Sequence, residues 1–495
     1  MNPAGVKPTA DRPAPPLGDR PKPKRSSMRS AAELLRSHRR FPDPMIVRSP
    51  LQTLVPVCLV AALSLGLVQH SQGQQPDAEP SAQPAPAAAP AADSAAGSPA
   101  VDHSGHDHAA QAADSATGPP DTAAETEAIL KEFKEMATPE LYEQGMTALD
   151  AFEDVSQQFK DKVLQMRRQF ILFVNGFSDD RQTYLTLRNE SRELMNQAYR
   201  KALDLIDFFP HPVAMRYVVT VLEQRFKHDV YNAETLEGAA KMLDYGIRLR
   251  YVALAAARAA MCAGDFPLAE SLYKNLQEDE IEDKDKALMV QFETIKKQFE
   301  TEQELLRNDP EDLPQVRFKT TRGEIIADLY IHEAPSTVAH FIELVESGFY
   351  DGLDFFQVVE GLLALTGDPL GDGSSRPDRF LADEHGRDVV RMPLVGSLVM
   401  AKLPGPNKDF IPNTAGTQFA MLFMPLPSVS EQQTVFGRIT KGLDVLGALR
   451  RVDPHKEKKK GAVVMPPDRI LEAEILNRPE TLPEVIYADP LATLP

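Results

Sequence analysis

Proline is distributed very unevenly along this chain, and its positions limit where long helices can form. The sequence has 495 residues and 41 prolines, yet no proline lies between Pro139 and Pro210. Proline inside a helix removes a hydrogen bond and clashes with the preceding turn. Long helices are therefore permitted over this stretch, whereas the proline-rich ends of the chain favour extended or disordered structure.

The N-terminus has a pattern typical of proteins that are exported from the cytoplasm. Residues 1–44 are rich in proline and basic residues and show no apolar period, which predicts a disordered or untranslated extension. Met45 then begins a segment with the basic Arg48, the apolar run 54–68 and small residues near its end. These features predict a secretion signal over residues 45–73.

Export would make the protein periplasmic or secreted. The apolar run is shorter than the about 20 residues that a membrane-spanning helix needs. The alternative is an uncleaved signal that anchors the protein through residues 51–68, and a membrane contact is expected only in that case. Residues 74–122 consist mainly of Ala, Pro, Ser, Asp, Gln and Gly. Such a segment buries too little apolar surface to fold, so it predicts a disordered linker.

Charge and cysteine content argue against several kinds of partner and site. The net charge is −18 and the basic residues are concentrated at the N-terminus, so we expect no nucleic-acid partner for the acidic body. Cys58 lies in the predicted signal, which leaves Cys262 alone and predicts no disulfide framework. The histidines of the segment Asp102–His108 suit Zn, Cu or Ni, but a polar patch in a disordered linker is the favoured interpretation.

The middle of the chain, residues 123–310, has the apolar periodicity of helices and predicts an α-helical domain. Before the prolines at 210 and 212, one long helix would bury a single apolar stripe made of Leu149, Phe152, Phe159, Val163, Met166, Phe170 and Phe173. After these prolines, further amphipathic stretches cover 213–228, 234–262, 266–277 and 284–306.

One predicted helical hairpin has small residues at its contact face and a turn at Gly264. Small residues at this spacing are typical of tetratricopeptide-type repeats, but stacked repeats need about three copies and only one is clear. The two interpretations are a tetratricopeptide-like unit and an ordinary helical bundle. In either case the expected role is contact with another protein, such as a partner in the cell envelope, or packing on the next domain.

A β pattern begins directly after the helices. Alternating segments at 316–320 and 325–330, joined by a short turn, predict a hairpin. Amphipathic helices are predicted at 335–348 and 442–451, with short strands between them. The pattern predicts a multidomain protein, in which the all-α region is followed by a mainly-β domain over 314–476. That domain would be a closed antiparallel barrel with two capping helices, followed by an extended tail over 477–495.

The β domain resembles the cyclophilins, a family of peptidyl-prolyl cis-trans isomerases, over about 140 residues. Several ordered blocks carry the resemblance, and they lie at 321–325, 334–338, 348–352, 396–401, 416–419, 434–438 and 442–445. The resemblance implies a cyclophilin-like barrel that binds proline-containing peptides or unfolded segments and rotates the X–Pro amide. It also implies that an arginine assists the rotation and that no cofactor or metal is needed.

The residues at the implied site depart from the family. Its catalytic arginine is replaced by Gln357, the catalytic candidate, and its pocket tryptophan and leucine fall near Ser428 and Val429. The segment 402–414 is longer than usual and would either cover the groove or be an inert insertion. The substrate-binding candidates are Gln418, Phe355, Leu362, Leu363, Phe419, Ala420, Val429 and Gln433.

These replacements weaken the expected catalysis. Gln357 can donate a hydrogen bond but carries no charge. Loss of one electrostatic stabiliser of a transition state typically costs about 10²–10³ in rate. The sequence therefore predicts an exported isomerase-family protein that assists folding with weak or lost activity. The alternatives are a non-catalytic binding module of the cell envelope and a purely structural domain without a ligand groove.

Overall fold

The computed structural model describes residues 121–405, 409–453 and 466–488. The N-terminal extension, the predicted signal, the linker and its histidine-containing segment lie outside these residues. Within the described part of the chain, no helix is both long and apolar enough to cross a lipid bilayer.

The helical region is confirmed and precedes the β domain. Thr138 begins its longest helix, where the Thr138 side chain accepts a hydrogen bond from the Leu141 amide and Pro139 takes the first helical position. Within the described residues the helices of this region are α1 Asp121–Met136, α2 Pro139–Val174, α3 Arg181–Ile206, α4 Pro212–Lys227, α5 Ala233–Asp244, α6 Arg250–Cys262, α7 Phe266–Lys274, α8 Asp283–Val290 and α9 Phe292–Leu306.

Two of the amphipathic stretches each contain two helices. The stretch 234–262 forms two helices, since α5 ends near Gly246, whose φ of +82° stops helix propagation. The stretch 284–306 is likewise divided at Gln291 into α8 and α9. The predicted stripe on α2 is buried as far as Met166, but Phe173 near the end of the helix is exposed.

The β domain is a curled antiparallel sheet in the order β3-β4-β7-β6-β8-β2-β1-β9, and the β1–β2 hairpin is confirmed. The prediction of a closed barrel is wrong, because no continuous ladder joins the edge strands β3 and β9 within the described residues. Isolated bridges are found there instead, from Asp354 to Arg469 and from Val358 to Val452. The strands are β1 Gln315–Thr320, β2 Gly323–Leu329, β3 Gln357–Val359, β4 Leu363–Thr366, β5 Phe380–Leu381, β6 Ser397–Met400, β7 Phe419–Leu422, β8 Val435–Lys441, β9 Ile470–Ile475 and β10 Tyr487–Ala488.

The interior of this half-barrel is an aromatic core that helix α10 (Pro335–Glu346) covers. Glu384 accepts hydrogen bonds from the backbone amides of Ser336 and Thr337 at 3.1 and 2.8 Å, which holds the start of α10. The second helix, α11 (Leu443–Gly447), is shorter than predicted. Ring centroids lie 5.1 to 6.3 Å apart among Phe318, Phe341, Phe419 and Phe436.

The tail returns to the half-barrel. Strand β10 pairs with β5 through Tyr487 and Leu381, and the Ile486 amide donates to Ser336 Oγ at 2.8 Å. The tail therefore lies beside the N-terminal end of α10.

The helical region packs against the half-barrel through buried polar groups. The Arg391 guanidinium is 1% exposed and binds the carboxylates of Glu302, Asp309 and Glu333. At another contact, Asn196 Nδ2 donates to Asp444 Oδ2 at 3.0 Å. The two regions are thus joined by specific contacts at several places.

Candidate functional site

The outer face of the sheet carries a second apolar cluster, separate from the aromatic core. Side chains alternate along a strand, so Phe419 and Met421 point inward while Ala420 and Leu422 point outward. We call this group the outer-face cluster. Its buried members are Leu363, Val399, Ala420, Leu422, Val429 and Val435, and Leu362, Leu365 and Leu426 pack against it.

Gln357 lies at one end of a row of residues that crosses this outer face. Strand pairing sets Gln357 opposite Leu365, Leu365 opposite Ala420, and Ala420 opposite Val399. The Gln357 side chain is half-buried and makes no hydrogen bond within the described residues. The uncharged amide of Gln357 is thus adjacent to the apolar cluster.

Gln418 lies next to this row, and its amide nitrogen is directed at a neighbouring loop. Its Nε2 lies 3.3 Å from the Ser375 carbonyl and 3.4 Å from the Gly373 carbonyl. Buried Asp368 orders the same loop by accepting the Gly373 and Ser375 amides at 2.7 and 3.1 Å. Gly367 is required here, since a Cβ would lie 2.2 Å from the Thr417 carbonyl oxygen. Gln418 therefore connects the site to this loop.

The remaining candidates differ in burial. Val429 is 1% exposed inside the outer-face cluster, Ser428 is exposed, and Gln433 is buried beside a small cavity that Glu384 also lines. Phe355 and Phe419 are fully buried in the aromatic core. These two phenylalanines therefore support the site from behind, without lining its surface.

The segment after β6, residues 402–414, is held near both of its ends by Asp383. Lys402 Nζ lies 2.6 Å from Asp383 Oδ2, which also accepts the Asn413 amide at 2.8 Å. Burial alone would raise the pKa of Asp383, but hydrogen bonds from His385 and Lys402 outweigh burial and lower it. Residues 406–408 lie outside the described part, so covering the groove and inert insertion both stay predictions.

The turn between β3 and β4 contacts the helical region, which the sequence did not reveal. The Gly361 amide donates to Asp229 Oδ2 at 2.8 Å, and Lys284 Nζ lies 3.2 Å from Glu360 Oε1. These partners are 132 and 76 residues apart in the chain. No local motif signals such a contact.

The arrangement offers an apolar surface with amide groups at its edge, which suits a peptide chain. Over residues 121–405, 409–453 and 466–488 there is no group of three or more His, Cys, Asp or Glu side chains that could hold a metal ion. The chemistry that this surface supports is binding through apolar contact and neutral hydrogen bonds.

Comparison with known proteins gives a consistent result for the β domain. The family model described as cyclophilin type peptidyl-prolyl cis-trans isomerase/CLD matches residues 315–475. A peptidyl-prolyl cis-trans isomerase from Helicobacter pylori is 35% identical over 137 residues, which is 27% of this chain and 79% of that protein. The isomerase CYP71 from Arabidopsis thaliana is 36% identical over 148 residues, which is 29% of this chain but 22% of that protein.

Among solved structures, a cyclophilin type peptidyl-prolyl cis-trans isomerase from Cryptosporidium parvum aligns with 34% of this chain and 99% of its own. The alignment has a TM-score of 0.29 and 25% sequence identity.

Proposed function

Because this chain belongs to the cyclophilin-type peptidyl-prolyl cis-trans isomerase family, we propose that its half-barrel binds proline-containing polypeptide segments at the outer-face cluster. We further propose that its catalysis of X–Pro rotation is weak or lost. The proposal rests on Gln357, which the resemblance places at the family's arginine position. Its side chain lies beside the cluster and has neither a charge nor a hydrogen-bonded partner within the described residues.

Catalysis of X–Pro rotation requires stabilisation of the twisted amide. Rotation of a peptide bond faces a barrier of about 18–20 kcal/mol because resonance keeps the bond planar. A charged donor near the prolyl nitrogen lowers that barrier, and charge-assisted hydrogen bonds are roughly twice as strong as neutral ones. Gln357 supplies only the neutral kind, so we expect binding with little acceleration.

Peptide binding is supported by the apolar surface that persists. Leu362 and Leu365 are half-buried and adjoin the buried members of the cluster. Burial of apolar surface contributes about 25 cal/mol per Å², so a proline ring covering these leucines would bind weakly but measurably. The resemblance places Ala420 where the family has a phenylalanine, and the smaller side chain reduces that contact.

The test is exchange NMR on a short peptide containing Ala-Pro, with the full chain as catalyst. Gln357→Arg is expected to raise the exchange rate by about 10²-fold over the natural protein. Gln357→Lys is the matched control, because it restores charge without the planar donor pair and should gain less. If the natural protein accelerated the exchange as much as Gln357→Arg does, the proposal of lost catalysis would be refuted. Absence of any peptide binding would refute the binding proposal and leave the structural-domain alternative.

For its biological setting, we propose that the protein is exported and assists folding outside the cytoplasm. The sequence pattern over residues 45–73 supports this. The alternative is a non-catalytic envelope module that binds a protein partner through its helical region. Deletion of residues 45–73 should retain the protein in the cytoplasm. Unchanged export after that deletion would contradict the proposal.

A further inference from the structure

The turn between α4 and α5 contains a residue with unusual backbone geometry that contacts the half-barrel. Asp229 has a φ of +56°, although it is not glycine, and is 4% exposed. Aspartate visits the left-handed region more readily than most residues, yet such a conformation persists only where surrounding contacts maintain it. The contacts of Asp229 must therefore hold it in this conformation.

The carboxylate of Asp229 is shared between the two regions. Its Oδ2 accepts from the Gly361 amide at 2.8 Å and from Arg451 Nη2 at 3.0 Å, both on the half-barrel. Its Oδ1 accepts from Tyr231 Oη at 3.4 Å, and Lys284 Nζ lies 3.8 Å away. Both oxygens are thus engaged, one by the half-barrel and one by the helical region.

Asp229 contacts the turn between β3 and β4, which leads into the outer-face cluster. Gly361, with a φ of +68°, directly precedes Leu362 and Leu363. The Leu362 carbonyl accepts the Phe423 amide at 3.0 Å. The turn is therefore held on one side by its own sheet and on the other side by Asp229.

Close packing keeps Asp229 in place. A Cβ on Gly447 would lie 2.7 Å from the His228 carbonyl oxygen and 2.5 Å from Val230 Cγ2, so the glycine allows the α4–α5 turn to approach α11. On the helical side, Tyr231 Oη accepts from Arg258 Nη1 at 2.7 Å. Rigid groups on both sides thus fix the carboxylate.

We infer that Asp229 is a positioning residue for the peptide site: it orders the turn at Gly361 and so makes the helical region a necessary part of the groove. The peptide-binding part of this inference rests on the proposed function. A hydrogen bond to a buried carboxylate is stronger than one to a neutral acceptor. Its loss should release the turn without unfolding the sheet.

The experiment is hydrogen exchange by mass spectrometry on the full chain, read over segments that cover 357–365. Asp229→Gly removes the acceptor and suits the positive φ, so exchange there should become about tenfold to hundredfold faster. Asp229→Asn keeps an acceptor oxygen and tolerates the same backbone but loses the charge, so its exchange should lie between those of the natural protein and Asp229→Gly. Asn196→Ala is the matched control, since it removes the hydrogen bond to Asp444 between the two regions and contacts neither Asp229 nor Gly361.

Affinity for an Ala-Pro peptide is the second readout, and it should weaken by about three- to tenfold in Asp229→Gly but not in Asn196→Ala. Unchanged exchange at 357–365 in Asp229→Gly would overturn the inference. Faster exchange across the entire sheet would also overturn it, because Asp229 would then be a general stabiliser. If the natural protein binds no such peptide, the proposed function fails, while the exchange data still decide whether Asp229 orders the turn.

Discussion

The aromatic core of the half-barrel and a buried ion pair of the helical region are held together by different chemistry. The half-barrel packs aromatic rings around Phe419 and Phe341. The helical region buries the Arg258 guanidinium against the Asp285 carboxylate, with both residues 0% exposed and atoms 2.6 and 2.7 Å apart. Truncation of an apolar side chain costs stability in proportion to the contact and cavity involved. Removal of one partner of a buried ion pair leaves the other charge uncompensated. The two regions should therefore respond differently to substitution and to pH.

The largest effect is expected from Arg258→Met in the helical region. This change leaves Asp285 charged and buried, which typically costs about 3–5 kcal/mol of unfolding free energy. Urea denaturation followed by circular dichroism would measure it. The double variant Arg258→Met/Asp285→Asn removes the stranded charge and should recover part of the loss. A single variant within 1 kcal/mol of the natural protein would show that this pair is not critical.

Phe419→Ala tests the other region and should cost about 3–5 kcal/mol, because it removes a fully buried ring and leaves a cavity. The ring lies 5.5 Å from those of Phe341 and Tyr350. Hydrogen exchange should accelerate in the sheet and not in helices α2 and α3. Equal acceleration in both regions would mean that they unfold as one unit, contrary to the expected difference between them.

Mild acid should destabilise the helical region first. Burial lowers the pKa of His211 to about 4, and its Nδ1 accepts the Ala214 amide at the start of α4. Since the unfolded pKa is near 6.5, stability is full above that pH and declines as the pH falls towards 4. The loss should be about 2 kcal/mol at pH 5, measured by urea denaturation at pH 7.5 and 5.

His211→Asn keeps a helix-capping oxygen without this titration and should remove most of that pH dependence. Burial also lowers the pKa of His340 on α10, so the half-barrel should lose some stability in mild acid, but less than the helical region. Its carboxylates should respond only in stronger acid. Burial would raise the pKa of Asp468, but the Arg322 charge and the hydrogen bond from Thr321 outweigh burial and lower it. Earlier acid loss in the sheet than in the helices would contradict this order.

The smallest effect on stability is expected from Leu365→Ala on the outer face. This side chain is half-buried, so truncation should cost about 1 kcal/mol or less. Peptide affinity, by contrast, should fall about threefold if the outer-face cluster binds proline. Calorimetric titration with an Ala-Pro peptide and a thermal melt would separate the two quantities. Unchanged affinity would exclude Leu365 from the binding surface.

Much of the fold was predictable because its signals are local. The apolar stripe on α2, the β1–β2 hairpin and the two covering helices all depend on residues close in the chain. The departures also have local causes, such as the left-handed Gly246 that separates α5 from α6. The open edge of the sheet was not predictable, since bridges such as Val358 to Val452 depend on how distant segments meet.

Residue identities and short spacings were enough to predict the order of the regions and the family of the β domain, because both signals are local. By contrast, the inward position of Phe419 and the place of Ala420 in the outer-face cluster became visible only in the folded chain. So did the contact of Asp229 with Gly361 across 132 residues. The physical reason is that such contacts arise from chain packing, in which a buried donor takes whichever acceptor the fold brings within hydrogen-bonding distance.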